Sequence, residues 1–206
     1  MGVDVNYCRR AYPLKNNLSK NIAVDIGANI GGFSMAYHNV FNKILYFEAN
    51  PETYKITKEN LKNYPNIEGY NLGVSDVSGK KIKLMNHFNK HNGSVTCSPS
   101  ITKNGHKEWV EVIGETNTIS LEDILSMINN ERINYLKMDC ENSEYEILLN
   151  KDLSKIDYIA MELHWQMGKE KYNELLEYLT KTFNIEGRTS FIEGSNTMVY
   201  LTNKNI

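Results

Sequence analysis

Cysteine is scarce: Cys8, Cys97 and Cys140 are the only three in 206 residues, and they show no CxxC spacing. An odd, scattered set argues against a disulfide framework and a thiolate zinc site, and it suits a reducing compartment. Long apolar runs are also missing. No stretch approaches the ~18 consecutive apolar residues of a membrane span. The leading MGVDVNYCRRAYPLKNN has no apolar centre of the kind a secretory signal carries. Gly2 has the position of a myristoylation site, but Asn6 stands where Ser or Thr is required. The expectation is a cytoplasmic protein. Charge of one sign is not in excess either: 23 Lys and Arg against 25 Asp and Glu leave a net charge of −2. That balance argues against a general electrostatic hold on nucleic acid or on an anionic membrane.

What is present is the material of a globular fold. Apolar residues make up 41% and charged residues 23%, close to the globular average, so a real core is within reach. No repeat, low-complexity tract or linker divides the chain, and the reading is a single domain over 1–206. Within it, residues 1–20 are polar and aperiodic and form an N-terminal extension. The pattern proper opens with Ile22-Ala23-Val24-Asp25-Ile26, an apolar run of the buried parallel-strand type. A helix over Phe33–Phe41, a strand over Lys43–Phe47, a helix over Pro51–Tyr64 and a strand over Ile67–Leu72 follow. This rhythm predicts an α/β fold with a parallel sheet covered on both faces. From about 79 to 113 it gives way to short alternating segments, Lys81–Met85, Ser94–Cys97 and Glu108–Ile113, broken at Asn92-Gly93 and Asn104-Gly105, which read as an inserted β-hairpin region. Helices over Ser120–Asn129, Ser143–Leu149 and Lys169–Thr182 then alternate with strands over Ile133–Met138 and Asp157–Leu163, and Phe183–Arg188 and Thr197–Leu201 close the chain as strands.

The strongest local signal is Val24-Asp25-Ile26-Gly27-Ala28-Asn29-Ile30-Gly31-Gly32, between the first strand and the first helix of that pattern. A tight turn and close approach of a ligand to the backbone both call for glycine there, and amides at a helix start attract an anionic group. The dinucleotide fingerprint GxGxxG needs a glycine where Asn29 stands, whereas DxGxNxG fits the glycine loop of S-adenosylmethionine enzymes. Glu48 ends the second strand about twenty residues beyond the loop, where an acid of such a fold reaches two ribose hydroxyls. A purely structural reading has Asp25 and Glu48 capping their neighbours.

The loop VDIGANIGGFS, the segment FEANPE, the turn LGVSDVSG, Asn92-Gly93-Ser94, the lead-in TISLEDIL and the run YLKMDCENSEYEILL followed by IAMEL resemble, in order over residues 22–163, the FkbM-type family of S-adenosylmethionine-dependent methyltransferases. The resemblance implies a Rossmann-like class I methyltransferase sheet of seven strands with the last antiparallel, and methyl transfer to a hydroxyl of a sugar, glycan or secondary metabolite. Carried over by position, it implies that Asp25, Gly27, Ala28, Asn29 and Gly31 surround the cofactor's methionine and ribose, with Glu48 on the ribose and Ala49, Asn50, Ser75 and Asp76 near the adenine. Asp76 reads equally well as a turn residue before Gly79. One departure stands out: the family's LKxDxEGxE motif has glycine where this chain has Asn142, directly after Glu141.

Lys137, Asp139 and Glu141 alternate along a strand and its exit and are therefore expected on one face, with Glu162 and His164 at the end of the next strand. Methyl transfer displaces a sulfonium, so the protein mainly aligns the acceptor oxygen and excludes water, and a general base helps a hydroxyl react. Asp139, His164 and Glu141 are the catalytic candidates, with His164 or Asp139 as the base. Lys137 reads as half of a buried ion pair with Glu162, His164 also reads as a satisfied loop histidine, and Cys140 reads as a small buried filler. Asp139, Glu141 and Glu162 have an alternative use in holding magnesium, but nothing in their spacing demands a metal and none is assigned.

Pro13, Pro51, Pro65 and Pro99 are isolated and none precedes cysteine, which leaves out the PP[YF] and Pro-Cys motifs of DNA-base methylases. The expected acceptor is a small molecule or glycan and not nucleic acid; Lys80-Lys81-Lys83 reads as a solvated face. Trp165, Tyr172 and the His87–His91 hairpin have two uses, lining an acceptor pocket or packing. Rival functions are an NAD-dependent oxidoreductase, which lacks its second fingerprint glycine here, and a non-catalytic cofactor-binding module. A homodimer is one of the oligomeric states left open.

Overall fold

In a computed structural model of the chain, residues 3–87, 95–96, 110–187 and 191–206 are described. Every residue of Ile22-Ala23-Val24-Asp25-Ile26 is buried, as a central strand covered on both faces requires, and the run forms β1 (Ile22–Ile26). Before it comes α1 (Val5–Ala11); after it come α2 (Gly32–Tyr37), β2 (Lys43–Phe47), α3 (Pro51–Leu61), β3 (Ile67–Tyr70) and β4 (Gly73–Ser75). Then follow β5 (Lys81–His87), β6 (Val95–Thr96), β7 (Val110–Ser120), α4 (Leu121–Met127), β8 (Tyr135–Met138), α5 (Glu144–Leu148), β9 (Tyr158–Leu163), α6 (Lys169–Leu179), β10 (Phe183–Gly187) and β11 (Thr197–Asn203).

The main sheet has seven strands in the order β10-β11-β9-β8-β1-β2-β3. Pairing is parallel from β9 through β8, β1 and β2 to β3, and β11 runs antiparallel to both of its neighbours. This is the expected class I sheet. Alternation along β1 sorts the core: Ile22, Val24 and Ile26 pack with residues of α4, α5 and α6, while Ala23 packs on the opposite face with Phe33, Ala36 and Tyr37 of α2. A second sheet, β4-β7-β5-β6, carries the expected hairpin pairing, with β5 antiparallel to β7 from Lys81↔Asn117 to His87↔Val110. The turns at Asn92-Gly93 and Asn104-Gly105, Cys97, and most of the His87–His91 segment lie outside the described residues.

The N-terminal extension is not aperiodic. Asp4 caps α1, its Oδ1 accepting from the amides of Asn6 (3.0 Å) and Tyr7 (2.9 Å), and Arg9 and Arg10 sit in the last turn, where the helix dipole favours cations. The helix lies hard against α2: a Cβ on Gly32 would stand 2.6 Å from Cys8 Sγ.

Lys137 does not pair with Glu162. Asp25 and Lys137 are register partners on β1 and β8, so their side chains share a face, and Lys137 Nζ lies 3.1 Å from Asp25 Oδ1. The same ammonium donates to the carbonyls of Ile26 (3.2 Å) and Gly27 (2.6 Å), which engages all three of its donors. Ser34 Oγ donates to Asp25 Oδ2 at 2.8 Å. Glu162 instead accepts from Asn196 Nδ2 at 3.0 Å. Strand order decides this, because β8 follows β1 by more than a hundred residues yet lies beside it.

Asp25 is fully buried, so removing its cation leaves an uncompensated charge. Lys137→Met is expected to lower stability by about 3–5 kcal/mol, and the double variant Asp25→Asn/Lys137→Met to regain much of that loss. Urea unfolding curves of the three proteins decide it; a single variant as stable as the parent contradicts the assignment.

Candidate active site

The DxGxNxG spacing has a backbone cause. Gly27, Asn29 and Gly31 all have positive φ (+71°, +50° and +90°), so the loop turns left-handed at every second residue. Glycine takes that conformation without strain, and asparagine is among the side chains that tolerate it best. Gly27 is also needed for packing inside the protein: a Cβ there would stand 1.9 Å from the carbonyl oxygen of Asp139. Close approach at this glycine is thus made by the exit of β8 and not by a ligand. The amides of Gly27 and Ala28 both donate to the Phe47 carbonyl at 3.0 Å, which ties the loop to β2 as well.

Glu48 is nearly buried and holds backbone with both oxygens. Oε2 accepts from the Asn29 amide (2.8 Å) and Oε1 from the Asn50 amide (2.9 Å). Burial pushes its pKa up in spite of those two donors. Each oxygen retains a second lone pair. Asn50 caps α3, accepting from the Glu52 amide at 3.0 Å, and the Ala49 carbonyl accepts from Asn71 Nδ2 at 3.0 Å. Asp76 is engaged by Lys80 Nζ at 3.1 Å, which holds its carboxyl below the usual range, and Ser75 Oγ lies 3.1 Å from both Asp76 Oδ1 and Glu146 Oε1. Asp25 is corrected from a cofactor contact to an internal support, since it is sealed between Lys137 and Ser34.

At the ends of β8 and β9, one ligating atom each from Asp139, Glu162 and His164 lie within 4.8 Å of one another. Tyr12 Oη donates to Asp139 Oδ2 at 3.3 Å. His164 is buried, with Nδ1 2.9 Å from Glu144 Oε1 and Nε2 3.5 Å from Glu141 Oε2. Burial opposes the imidazolium, but the carboxylates of Glu144, Glu141 and Asp139 outweigh it and push the pKa up to about 9. With Nδ1 on Glu144 and Nε2 facing Glu141, both ring nitrogens meet protein carboxylates, which suits a positioning role better than that of the base.

Glu141 does not share a face with Lys137 and Asp139. It and Asn142 have φ of +51° and +83°, a left-handed turn that leaves the strand and brings Glu141 to His164. Asn142 thus adopts a conformation that glycine takes without strain, and its buried Oδ1 has no hydrogen-bond partner among the described residues. Tyr172 is buried in the core with its ring 5.5 Å from that of Phe191, and it is not part of the cavity beside the glycine loop. Burial and Glu144 push the Cys140 thiol well up, as suits an inert filler.

A cavity of about 190 Å³ lies between α1 and the glycine loop. Its walls are Tyr7 and Cys8 from α1, Tyr12, the loop from Gly27 to Ile30, and the strand-end pair Lys137 and Asp139. Sequence reasoning missed Tyr7 and Tyr12; the Asp4 cap followed by a basic last turn was the available signal.

A seven-stranded sheet with an antiparallel β11, helices on both faces and a glycine loop at the exit of β1 defines the class I methyltransferase fold. Residues 25–185 match the methyltransferase FkbM domain, and the chain belongs to that family. It is similar to the hexuronic acid methyltransferase AglP of Haloferax volcanii, 26% identical over 156 residues, which cover 74% of this chain and 59% of the relative. The FkbM methyltransferase of Methylobacillus flagellatus superposes with a TM-score of 0.58 at 16% identity, over 96% of this chain and 50% of that one. A dimethyladenosine transferase of Plasmodium falciparum gives 0.52 at 11% identity, over 98% of this chain and 61% of that one. The chain therefore spans 59% of the curated relative's length and half of the FkbM structure's. Among the described residues no helix is long and apolar enough to cross a membrane.

Two predictions follow from the acid-rich turn. A histidine raised from about 6.5 in the unfolded chain to about 9 stabilises the fold fully below the lower value, and that stability is lost as pH rises through about 9. In chelator-treated protein, the His164 ring resonances should titrate near pH 9 and thermal stability should fall over the same window; a midpoint below 7 contradicts the assignment. Asn142→Gly removes both the left-handed side chain and its unpaired oxygen, and should raise stability by about 1 kcal/mol, measured as an upward shift in the melting temperature. An unchanged or lower midpoint means the asparagine has a partner that outweighs its strain.

Proposed function

We propose that this chain transfers a methyl group from S-adenosylmethionine to a hydroxyl of a sugar, glycan or secondary metabolite. The observation that carries the reading is the Asp139 carboxylate, partly exposed and facing a cavity whose other wall is the left-handed glycine loop held by Glu48. Family membership supports methyl transfer, and the named substrate class of the Haloferax relative supports a sugar acceptor.

The residues fit the cofactor. Glu48 lies outside the cavity lining but bonds the loop at Asn29, and its remaining lone pairs suit ribose hydroxyls; a lining that includes Tyr7, Tyr12 and Asp139 is electron-rich, as a sulfonium requires. Bound there, S-adenosylmethionine supplies an electrophilic methyl group. Lys137 fixes the loop by bonding the carbonyls of Ile26 and Gly27. Tyr12 holds one oxygen of Asp139, and the carboxylate takes the proton of the acceptor hydroxyl as its oxygen attacks. His164 serves as a positioning residue between Glu144 and Glu141. Tyr7 and Cys8 of α1 form one wall of the cavity and limit the approach of water from that side.

We read residues 1–206 as one domain because Val74 of β4 and Ile119 of β7 belong to the same apolar cluster as β1. A cytoplasmic setting and a small-molecule or glycan partner, with no nucleic acid, complete the reading.

Calorimetric titration with S-adenosylhomocysteine should show binding to the parent protein and a loss of about 1–3 kcal/mol in Glu48→Ala. Binding of NAD with none of the homocysteine compound overturns the reading. Asp139→Asn should keep that binding while methyl transfer to a uronic-acid acceptor falls by about 10²- to 10⁴-fold; a variant of full activity removes Asp139 as the base.

A further inference from the structure

We propose that Asp139, Glu162 and His164 form a site for one first-row divalent cation, of the type of Mn²⁺, at the carboxyl edge of β8 and β9. The three side chains each bring one ligating atom, and these atoms lie within 4.8 Å of one another. Two carboxylate oxygens and one imidazole nitrogen are a mixed hard and borderline set, which suits manganese, iron or zinc better than calcium.

The imidazole is built for this role. His164 is only 1% exposed, and its Nδ1 is 2.9 Å from Oε1 of Glu144, a carboxylate with no exposed surface. That contact commits one ring nitrogen and turns Nε2 toward the acids, where Glu141 Oε2 lies 3.5 Å away. A carboxylate behind the far nitrogen is how ligating histidines are oriented and made more basic. The two acids are held in the same manner by neutral donors, Tyr12 Oη on Asp139 Oδ2 and Asn196 Nδ2 on Glu162 Oε1. Each donor fixes one oxygen, leaves the other available and neutralises no charge. The nearby ammonium of Lys137 has its three donors on Asp25, Ile26 and Gly27. A divalent cation among Asp139, Glu162 and His164 displaces any proton on Nε2 and takes the lone pair so freed. Three protein ligands leave open positions, and because Asp139 also lines the cavity under α1, a ligand there can fill them. Each Asp139 oxygen carries two lone pairs, so ligation is compatible with its proposed work on the acceptor.

The site stands or falls separately from the methyl-transfer reading. Full-length protein stripped with chelator is titrated with Mn²⁺, and the free aquo ion is followed by electron paramagnetic resonance. One equivalent should leave the free signal. Glu162→Gln and Asp139→Asn should weaken binding at least tenfold, and Glu144→Gln, which touches only the ring, by about 10- to 100-fold. Glu174→Gln, on the exposed face of α6 beside Lys171, should bind as the parent does. An undiminished free-ion signal overturns the proposal, and so does parental binding by Glu162→Gln, which is half-exposed and is checked for folding by circular dichroism. Mn²⁺ uptake without S-adenosylhomocysteine binding would retain the cation site and remove the methyl-transfer reading; the reverse pattern would do the opposite.

Discussion

The buried ion pair between Asp25 and Lys137 is the contact on which the rest of the site depends. It joins β1 to β8 at one register position, and through the same ammonium it holds the carbonyls of Ile26 and Gly27 where the glycine loop begins. Gly27 in turn lets the Asp139 carbonyl approach to a distance no side chain would permit. The loop and the residue that bears the Asp139 carboxylate are therefore packed directly against each other. Buried pairs contribute little net stability once desolvation is counted. The more important effect here is on register: a one-residue slip of β8 would turn Lys137 to the opposite face and strand Asp25 without a cation.

Local signals were readable from the chain, and non-local ones were not. Gly27, Asn29 and Gly31 announce a loop because each left-handed turn restricts the residue type at its own position. The apolar run of β1 announces a covered strand for the same local reason. The partner of Lys137 depends on which strands are neighbours, a property of the whole sheet, and so Glu162 was a reasonable but mistaken candidate. The company of His164 was equally hidden, since Glu144 reaches it from α5 after a turn whose direction is set by two positive φ angles. The helix α1 was announced by Asp4, but the signal was short and the surrounding residues polar.

Two electrostatic regimes sit side by side at this sheet edge. Around Asp25 the charges balance and every donor is used, which makes that half inert. Beyond Asp139 several acids lie close together, and neutral groups such as Tyr12 and Asn196 hold Asp139 and Glu162 without discharging them. A surplus of fixed negative charge beside a cavity is costly unless a cationic ligand or a proton offsets it. The carboxylates around His164 favour the charged form of its ring against the cost of burial, and that form supplies part of the offset.

Asn142 shows how a departure from the family pattern can leave the placement of the neighbouring side chains intact. What the turn needs is a backbone that reverses with positive φ, and asparagine supplies this at a modest energetic cost. The position of Glu141 then follows from the backbone and not from the identity of the next side chain, so the carboxylate still reaches His164. The burden of the exchange falls on the unpaired Asn142 oxygen, buried where glycine would place nothing. A site can therefore keep its acids and histidine in register while one neighbour carries strain, provided that the strands setting the register are fixed from the other side by Asp25 and Lys137.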